Sequence, residues 1–244
     1  MFLEMKNITK CFDATKALDD VSFSCEKGEI CGLLGENGAG KSTLMNILGG
    51  VFSPTEGKVI IAGEDITGSD ERKASGAGIR FVHQELNIIN DLRVYENLFL
   101  GEELVRGFGF TDKKAMREKT RQVLEKVNLG DVDPDLYARE LDTSHKQLLE
   151  IARALLFDAR IIILDEPTTA LSEEEIKNLF GIMRNLKADG VSMIYISHKM
   201  AELFEICDTY TVLRDGKFIA SGQMQDVDEK QITTMLTGRT VKKI

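Results

Sequence analysis

Apolar and polar residues alternate over 2–8 and again over 21–25, which predicts two paired strands, with Lys27-Gly28 marking the turn after the second. Ile30-Cys31-Gly32-Leu33-Leu34 is a short apolar stretch that predicts a buried strand. A helix over 42–48 follows it after a glycine-rich turn. Phe81-Val82 predicts a further short strand. Between about 95 and 158 the apolar spacing is helical. The segment 113–127 carries Ala115, Met116, Val123, Leu124 and Val127 among many charges. From 161 onward the pattern alternates: a strand over 161–164, a helix over 173–186, the strand Ser192–Ile196, a helix over 199–206, then two short strands about Gly216. Such alternation predicts a mainly parallel sheet with crossover helices. The expected fold class is therefore α/β, with an N-terminal antiparallel β-subdomain and a helical subdomain, at about 90–158, inserted into a single domain over 1–244.

Composition narrows the function classes. With 244 residues, 43% hydrophobic and 29% charged, the chain is long enough for a substantial core and too apolar for disorder. The net charge of −9 argues against a general nucleic-acid-binding surface, which needs clustered Lys and Arg. No uninterrupted apolar run exceeds four residues, so none can span a bilayer. The first six residues lack the long apolar segment of a signal peptide. Cys11, Cys25, Cys31 and Cys207 form no C-x-x-C pair and share no zinc-ligand spacing with the histidines, so they are expected as reduced, structural thiols.

Gly35-Glu36-Asn37-Gly38-Ala39-Gly40-Lys41-Ser42-Thr43 contains G-x-x-x-x-G-K-[ST] between the apolar strand and the helix, the context of a phosphate-binding loop. Glycines allow successive N–H groups to point inward at phosphate oxygens. The helix that follows offers its unsatisfied N–H groups and positive dipole end to the same anion. Lys41 supplies a point charge at the β and γ phosphates, and the Ser42 hydroxyl is a ligand for Mg²⁺.

Ile161-Ile162-Ile163-Leu164-Asp165-Glu166 supplies the second half of such a site. Four apolar residues bury the strand, and two carboxylates emerge at its C-terminal end, where open α/β sheets bind ligands. Asp165 is the candidate Mg²⁺ holder; Glu166 is the candidate that polarises the attacking water. Gln84 follows the strand at Phe81-Val82 and is a candidate to reach Mg²⁺ or that water. His198 follows the strand Ser192–Ile196 and is a candidate for the γ-phosphate. Phe12 is a candidate platform for a nucleotide base. His83 and His145 have no partner that the sequence names.

The order and spacing of these pieces resemble an ABC-type ATPase. Lys41 precedes Gln84 by 43 residues, Leu141 precedes Asp165 by 24, and His198 follows Asp165 by 33. The resemblance covers the whole chain and implies a P-loop NTPase core. It identifies Walker A at 35–43, the Q-loop at Gln84, Walker B at Ile161–Asp165, the D-loop at Ala170-Leu171-Ser172 and the switch histidine at His198. It also suggests Phe12 as the adenine-stacking residue.

Val82-His83-Gln84-Glu85-Leu86, Val94-Tyr95-Glu96-Asn97-Leu98-Phe99-Leu100-Gly101, Glu150-Ile151-Ala152-Arg153-Ala154-Leu155 and Leu236-Thr237-Gly238-Arg239 are similar to the N-terminal ATPase half of monosaccharide importers of the ribose/galactose/xylose type. That implies ATP and Mg²⁺ as ligands and a second ATPase half or domain as partner. It further implies a membrane permease contacted near Glu96 to Gly101, an extracytoplasmic sugar-binding protein, and a peripheral place on the cytoplasmic face of the membrane. No nucleic-acid partner is expected. One departure stands out. Where the family carries a sequence close to L-S-G-G-Q, this chain has Leu141-Asp142-Thr143-Ser144-His145, so a carboxylate replaces the serine that meets the γ-phosphate held by the opposite ATPase domain. The resemblance leaves two rivals: a soluble ABC ATPase acting on ribosomes or nucleic acid, and a regulatory module that binds ATP without hydrolysing it.

Overall fold

The computed structural model describes residues 1–84 and 86–238; Glu85 and Arg239, quoted in two motifs above, lie outside them. In chain order the elements begin β1 (Leu3–Phe12), β2 (Thr15–Cys25), β3 (Ile30–Leu34), α1 (Lys41–Leu48), β4 (Glu56–Ile61), β5 (Glu64–Asp65), α2 (Glu71–Gly76) and β6 (Ile79–Val82). Next come α3 (Val94–Leu98), α4 (Lys113–Lys126), α5 (Thr143–Leu156), β7 (Ile161–Asp165) and α6 (Glu173–Ala188). The last are β8 (Ser192–Ile196), α7 (Met200–Ile206), β9 (Thr209–Arg214), β10 (Lys217–Gln223) and α8 (Glu229–Thr237). Two units result. One comprises Met1–Phe81, Arg160–Glu166 and the chain from Leu186; the other comprises Val82–Ala159 and Pro167–Asn185.

The first unit holds two sheets. An antiparallel sheet runs β2-β1-β4-β5, and a six-stranded sheet runs β10-β9-β3-β8-β7-β6. Within the latter, β9, β3, β8 and β7 are parallel neighbours, and β10 returns antiparallel on β9. Strand β3 lies in the middle of this group, and all five of its residues are buried. That matches its unbroken apolar run, since a parallel strand is covered on both faces. One continuous apolar cluster fills the unit. It joins Leu3, Met5, Ile8, Leu18 and Val21 from the hairpin to Leu44, Met45 and Leu48 of α1, and to Leu33, Ile161, Ile163, Ile194 and Ile196 of the parallel sheet.

The hairpin is longer than the alternation predicts. Asn7 and Asp20 adopt positive φ, at 52° and 54°, and the β1–β2 register shifts between Met5 and Ile8 and again between Ile8 and Lys10. The Asn7 side-chain amide donates to Asp20 Oδ1 at 2.8 Å across the irregularity. Such bulges displace the period-two pattern, so one long strand reads as a short one. The cysteine expectation also needs correction. Cys25 and Cys31 are joined as a disulfide, because the β2–β3 turn brings their Cα atoms to 6.2 Å, within the span a bridge takes. Cys11 and Cys207 are free thiols.

The second unit contains α3, α4, α5 and most of α6. Met116, Thr120, Val123 and Leu124 line one buried face of α4, and α5 buries Leu148, Leu149, Ile151 and Ala152. The sequence predicts helical periodicity throughout this block. The structure interrupts it between α3 and α4 and between α4 and α5, where Gly101 and Gly109 take positive φ and Pro134 cannot donate. Among the described residues no helix is long and apolar enough to cross a membrane.

Candidate functional site

Strand β3 delivers the chain directly into the glycine-rich loop, and α1 leaves it at Lys41. The N-cap of α1 is Gly40, at φ 100°, which has no side chain to cap the helix, and the first turn carries no acidic residue. The first-turn N–H groups and the positive end of the helix are therefore left for an external anion. A cleft of about 340 Å³ opens there. Its walls are residues 37–43, the start of β2 at Thr15, Lys16 and Ala17, and the turn Asp215-Gly216 between β9 and β10.

Close backbone approach holds these walls together. A Cβ on Gly40 would lie 2.6 Å from Leu18 Cδ2, and one on Gly216 would lie 2.6 Å from the Ala17 carbonyl oxygen. Gly216 also bridges the two sides: its N–H donates to the Ala39 carbonyl at 3.3 Å, and its carbonyl accepts from the Asp19 N–H at 2.8 Å. The Thr15-Lys16-Ala17 and Asp215-Gly216 walls were not among the sequence candidates. Asp-Gly is a visible turn signal, but nothing local says what the turn packs against.

Lys41 lies folded over its own loop. Its Nζ donates to the carbonyls of Gly35, at 2.6 Å, and Glu36, at 3.1 Å. Burial pulls its pKa below the ordinary lysine value, and the charges of Asp165 and Glu166 oppose that shift. The ammonium is thus partly desolvated, with two carboxylates in the same field.

Those carboxylates stand at the end of β7, as expected. Asp165 is paired in register with Ile196 of β8. Glu166 sits at φ 49°, in the left-handed region that a side chain disfavours, and its N–H donates to the Ile196 carbonyl at 2.9 Å. This turn places Glu166 Oε1 2.9 Å from His198 Nδ1. The carboxylate side chain is 16% exposed and the imidazole 73% exposed, so one end of the pair is sheltered and the other faces out. Buried Ser197 and Tyr195 both donate to Glu202 Oε2, at 3.3 and 2.7 Å, which fixes the β8–α7 turn carrying His198. The first unit thus brings Lys41, Asp165, Glu166 and His198 into one electrostatic neighbourhood.

Two further candidates, Gln84 and Phe12, and the departing residue Asp142 are held by other parts of the chain. Gln84 is exposed just beyond β6, in the second unit. Phe12 ends β1 and is 39% exposed, yet it is not among the cleft-lining residues. Its ring meets Phe52 edge-on at 5.2 Å between centroids, with Lys10 Nζ 4.9 Å from the ring centroid. Asp142 is the N-cap of α5. Its Oδ1 accepts from the His145 N–H at 2.8 Å and the Ser144 hydroxyl at 3.1 Å, and lies 2.7 Å from His145 Nδ1. The carboxylate that replaces the family serine is therefore turned onto its own helix terminus. The sequence named no partner for His145; the helix turn supplies one.

Residues 18–169 match the family described as ABC transporter. The chain belongs to the ABC transporter family. It is 46% identical over 241 residues to the ribose import ATP-binding protein RbsA of Clostridium perfringens (strain SM101 / Type A), covering 98% of this chain and 48% of that protein. It is 44% identical over 239 residues to the protein of the same name from Bacillus licheniformis, again over 98% and 48%. The chain spans about half the length of the curated relatives it matches. Among solved structures, the ADP conformation of MJ1267, an ATP-binding cassette of an ABC transporter, superposes with a TM-score of 0.83 at 30% identity, covering 98% of this chain and 96% of that one. The dimeric post-hydrolysis state of the ATP-binding cassette MJ0796, bound to ADP and Pi, gives 0.76 at 26% identity, covering 91% and 98%. The fold class read from the sequence, α/β with a mainly parallel sheet and an antiparallel N-terminal sheet, is the one these ABC cassettes share.

Two outcomes follow from this geometry. Gly216→Ala forces both a positive φ, 73° here, and a Cβ into the Ala17 carbonyl, so it is expected to destabilise the fold by about 2 kcal/mol or more and to weaken nucleotide binding. Equal thermal unfolding midpoints for variant and wild type would refute the wedge role of Gly216. Asp142→Ala removes the α5 cap and should cost about 1 kcal/mol at neutral pH. The His145 backbone N–H, and then its ring, hold the Asp142 pKa below the ordinary carboxylate value. Its contribution is therefore complete above that ordinary value and lost as pH falls through the folded one. The gap between wild-type and Asp142→Ala melting curves should close in acid.

Proposed function

We propose that this chain is an ATP-binding and ATP-hydrolysing domain of an importer that drives uptake of a monosaccharide-type carbohydrate. What carries the reading is one arrangement in the first unit: an uncapped helix N-terminus with Lys41 on the cleft, in the field of Asp165 and of a Glu166–His198 pair. Backbone N–H groups and Lys41 hold the phosphates. Ser42 and Asp165 offer hydroxyl and carboxylate oxygens, the hard donors that suit Mg²⁺, which when bound neutralises phosphate charge. Glu166 takes the proton of the attacking water, whose oxygen bonds to the γ-phosphorus as the bridge to the β-phosphate breaks, leaving ADP and phosphate. His198 orients that carboxylate and faces the γ-phosphate, and Gln84 is the further candidate of this reading for Mg²⁺ or the attacking water.

The relatives' names, ribose import ATP-binding protein, support ribose or a related sugar as cargo; the reading adds a permease, an extracytoplasmic binding protein and a second ATPase half as partners. On this reading the chain sits on the cytoplasmic membrane face, held there by the permease, with Glu96 to Gly101 as the contact and Phe12 as a platform for the base. The Asp142 cap favours one refinement. A helix end already closed by its own carboxylate repels a partner's γ-phosphate, so the two composite sites of a pair would be unequal.

Lys41→Ala should weaken MgATP binding by about 10- to 100-fold, since a charged hydrogen-bond partner is lost. Glu166→Gln should bind MgATP as wild type yet lower turnover by about 10²- to 10⁴-fold, because only proton acceptance is removed. Isothermal titration and phosphate release in the assembled transporter read the two effects. Wild-type turnover in Glu166→Gln would overturn the assignment.

A further inference from the structure

Residues 86–89, shortly after Gln84, have no ladder or helix to satisfy their backbone. Two buried polar side chains of the second unit take that place. Asn97 of α3, 1% exposed, accepts from the Ile89 N–H at 2.8 Å and donates to the Ile89 carbonyl at 3.0 Å. Glu150, in the middle of α5 and 5% exposed, accepts from the Asn87 N–H at 2.8 Å through Oε1. The reading above gives Glu150 no task.

A carboxylate at this depth is costly. Burial raises its pKa, and the Asn87 N–H, then the charges of Arg153 and His83, counter that shift. An aliphatic side chain would fill the same place in α5 without the desolvation, so packing alone does not account for an acid there. What the acid adds is a strong, directed bond to one backbone N–H, three residues beyond Gln84. Arg153, one turn later, donates to the Leu100 carbonyl at 3.0 Å, so α5 grips the chain on both sides of α3.

We propose that Glu150 is a positioning residue for Gln84: it clamps the chain at Asn87 to α5, so that Gln84 is carried by the second unit as part of a rigid body. The inference rests on the reading that Gln84 meets bound MgATP. Freed from the clamp, the segment would keep its composition and lose its register against α5.

Residue-resolved hydrogen exchange on this chain, with and without MgATP, tests the clamp. In Glu150→Leu the Asn87 amide should exchange about 10- to 100-fold faster, the loss expected for a hydrogen bond to a charged acceptor. The Ile151 amide of α5 should stay as protected as in wild type. Glu150→Gln keeps an acceptor oxygen in the same place and should restore slow exchange at Asn87. With MgATP at saturation, exchange at Gln84 should slow in wild type and Glu150→Gln but not in Glu150→Leu. Glu150→Met, with a more flexible filling chain, serves in the same comparison if the leucine variant does not fold.

Equal Asn87 exchange in all variants overturns the clamp. A released Asn87 with an undiminished MgATP response at Gln84 overturns the positioning role. A wild-type protein in which MgATP leaves Gln84 exchange unchanged refutes the reading of Gln84 itself, a separate result that takes this inference with it.

Discussion

A site built from backbone N–H groups requires that the protein leave those groups unused, and the rest of the first unit is organised around that requirement. Helix α1 begins at a glycine that cannot cap it, and no acidic side chain stands in its first turn. The loop before it must turn sharply, and the hairpin and the Gly216 turn must approach within contact of its backbone to keep it there. Burying β3 on both faces, and α1 beneath the hairpin, anchors both ends of the loop in one apolar cluster. The exposed loop is thus held by the least exposed parts of the molecule, which lets a polar site stay rigid while its inward N–H groups are kept for a ligand.

Two helix N-termini in this chain are treated in opposite ways. At α1 the terminus has no side-chain cap, and Lys41 donates to the carbonyls of the loop that precedes it. At α5 the terminus is closed by Asp142, with His145 and Ser144 gathered on the same oxygen. The physics is one rule: a helix dipole favours a negative charge at its start, whether that charge comes from a ligand or from the chain. The difference between glycine and aspartate at a single position decides which source supplies it.

The acidic end of β7 shows how a sheet turns a sequence pair into different tools. Asp165 still belongs to the ladder, whereas Glu166 has left it through a left-handed residue and reaches His198 at the end of the neighbouring strand. Parallel register between β7 and β8 makes the meeting possible, because both strands end at the same edge. In the second unit, Asn97 and Glu150 do comparable work for an irregular segment, supplying the hydrogen bonds that a strand would have found in its neighbour.

What the sequence by itself determined is whatever depends on neighbours in the chain. The phosphate loop was legible because its glycines, lysine and hydroxyl are consecutive and lie between an unbroken apolar strand and a helix. The α/β class was legible from alternating periods, and the carboxylate pair from the apolar run that precedes it. The full length of β1 and β2 was not, because residues at positive φ displaced the alternation, and neither was the disulfide, which depends on where the β2–β3 turn returns Cys31. The interruptions of the helical block were marked only by scattered Gly and Pro. Tertiary structure alone decided the walls of the cleft at Ala17 and Gly216, the partnership of Glu166 with His198, and the hold of Glu150 on Asn87. Each joins segments between 32 and about 200 residues apart, and no local pattern encodes such a contact, because it exists only once the sheets have set the register of their ends.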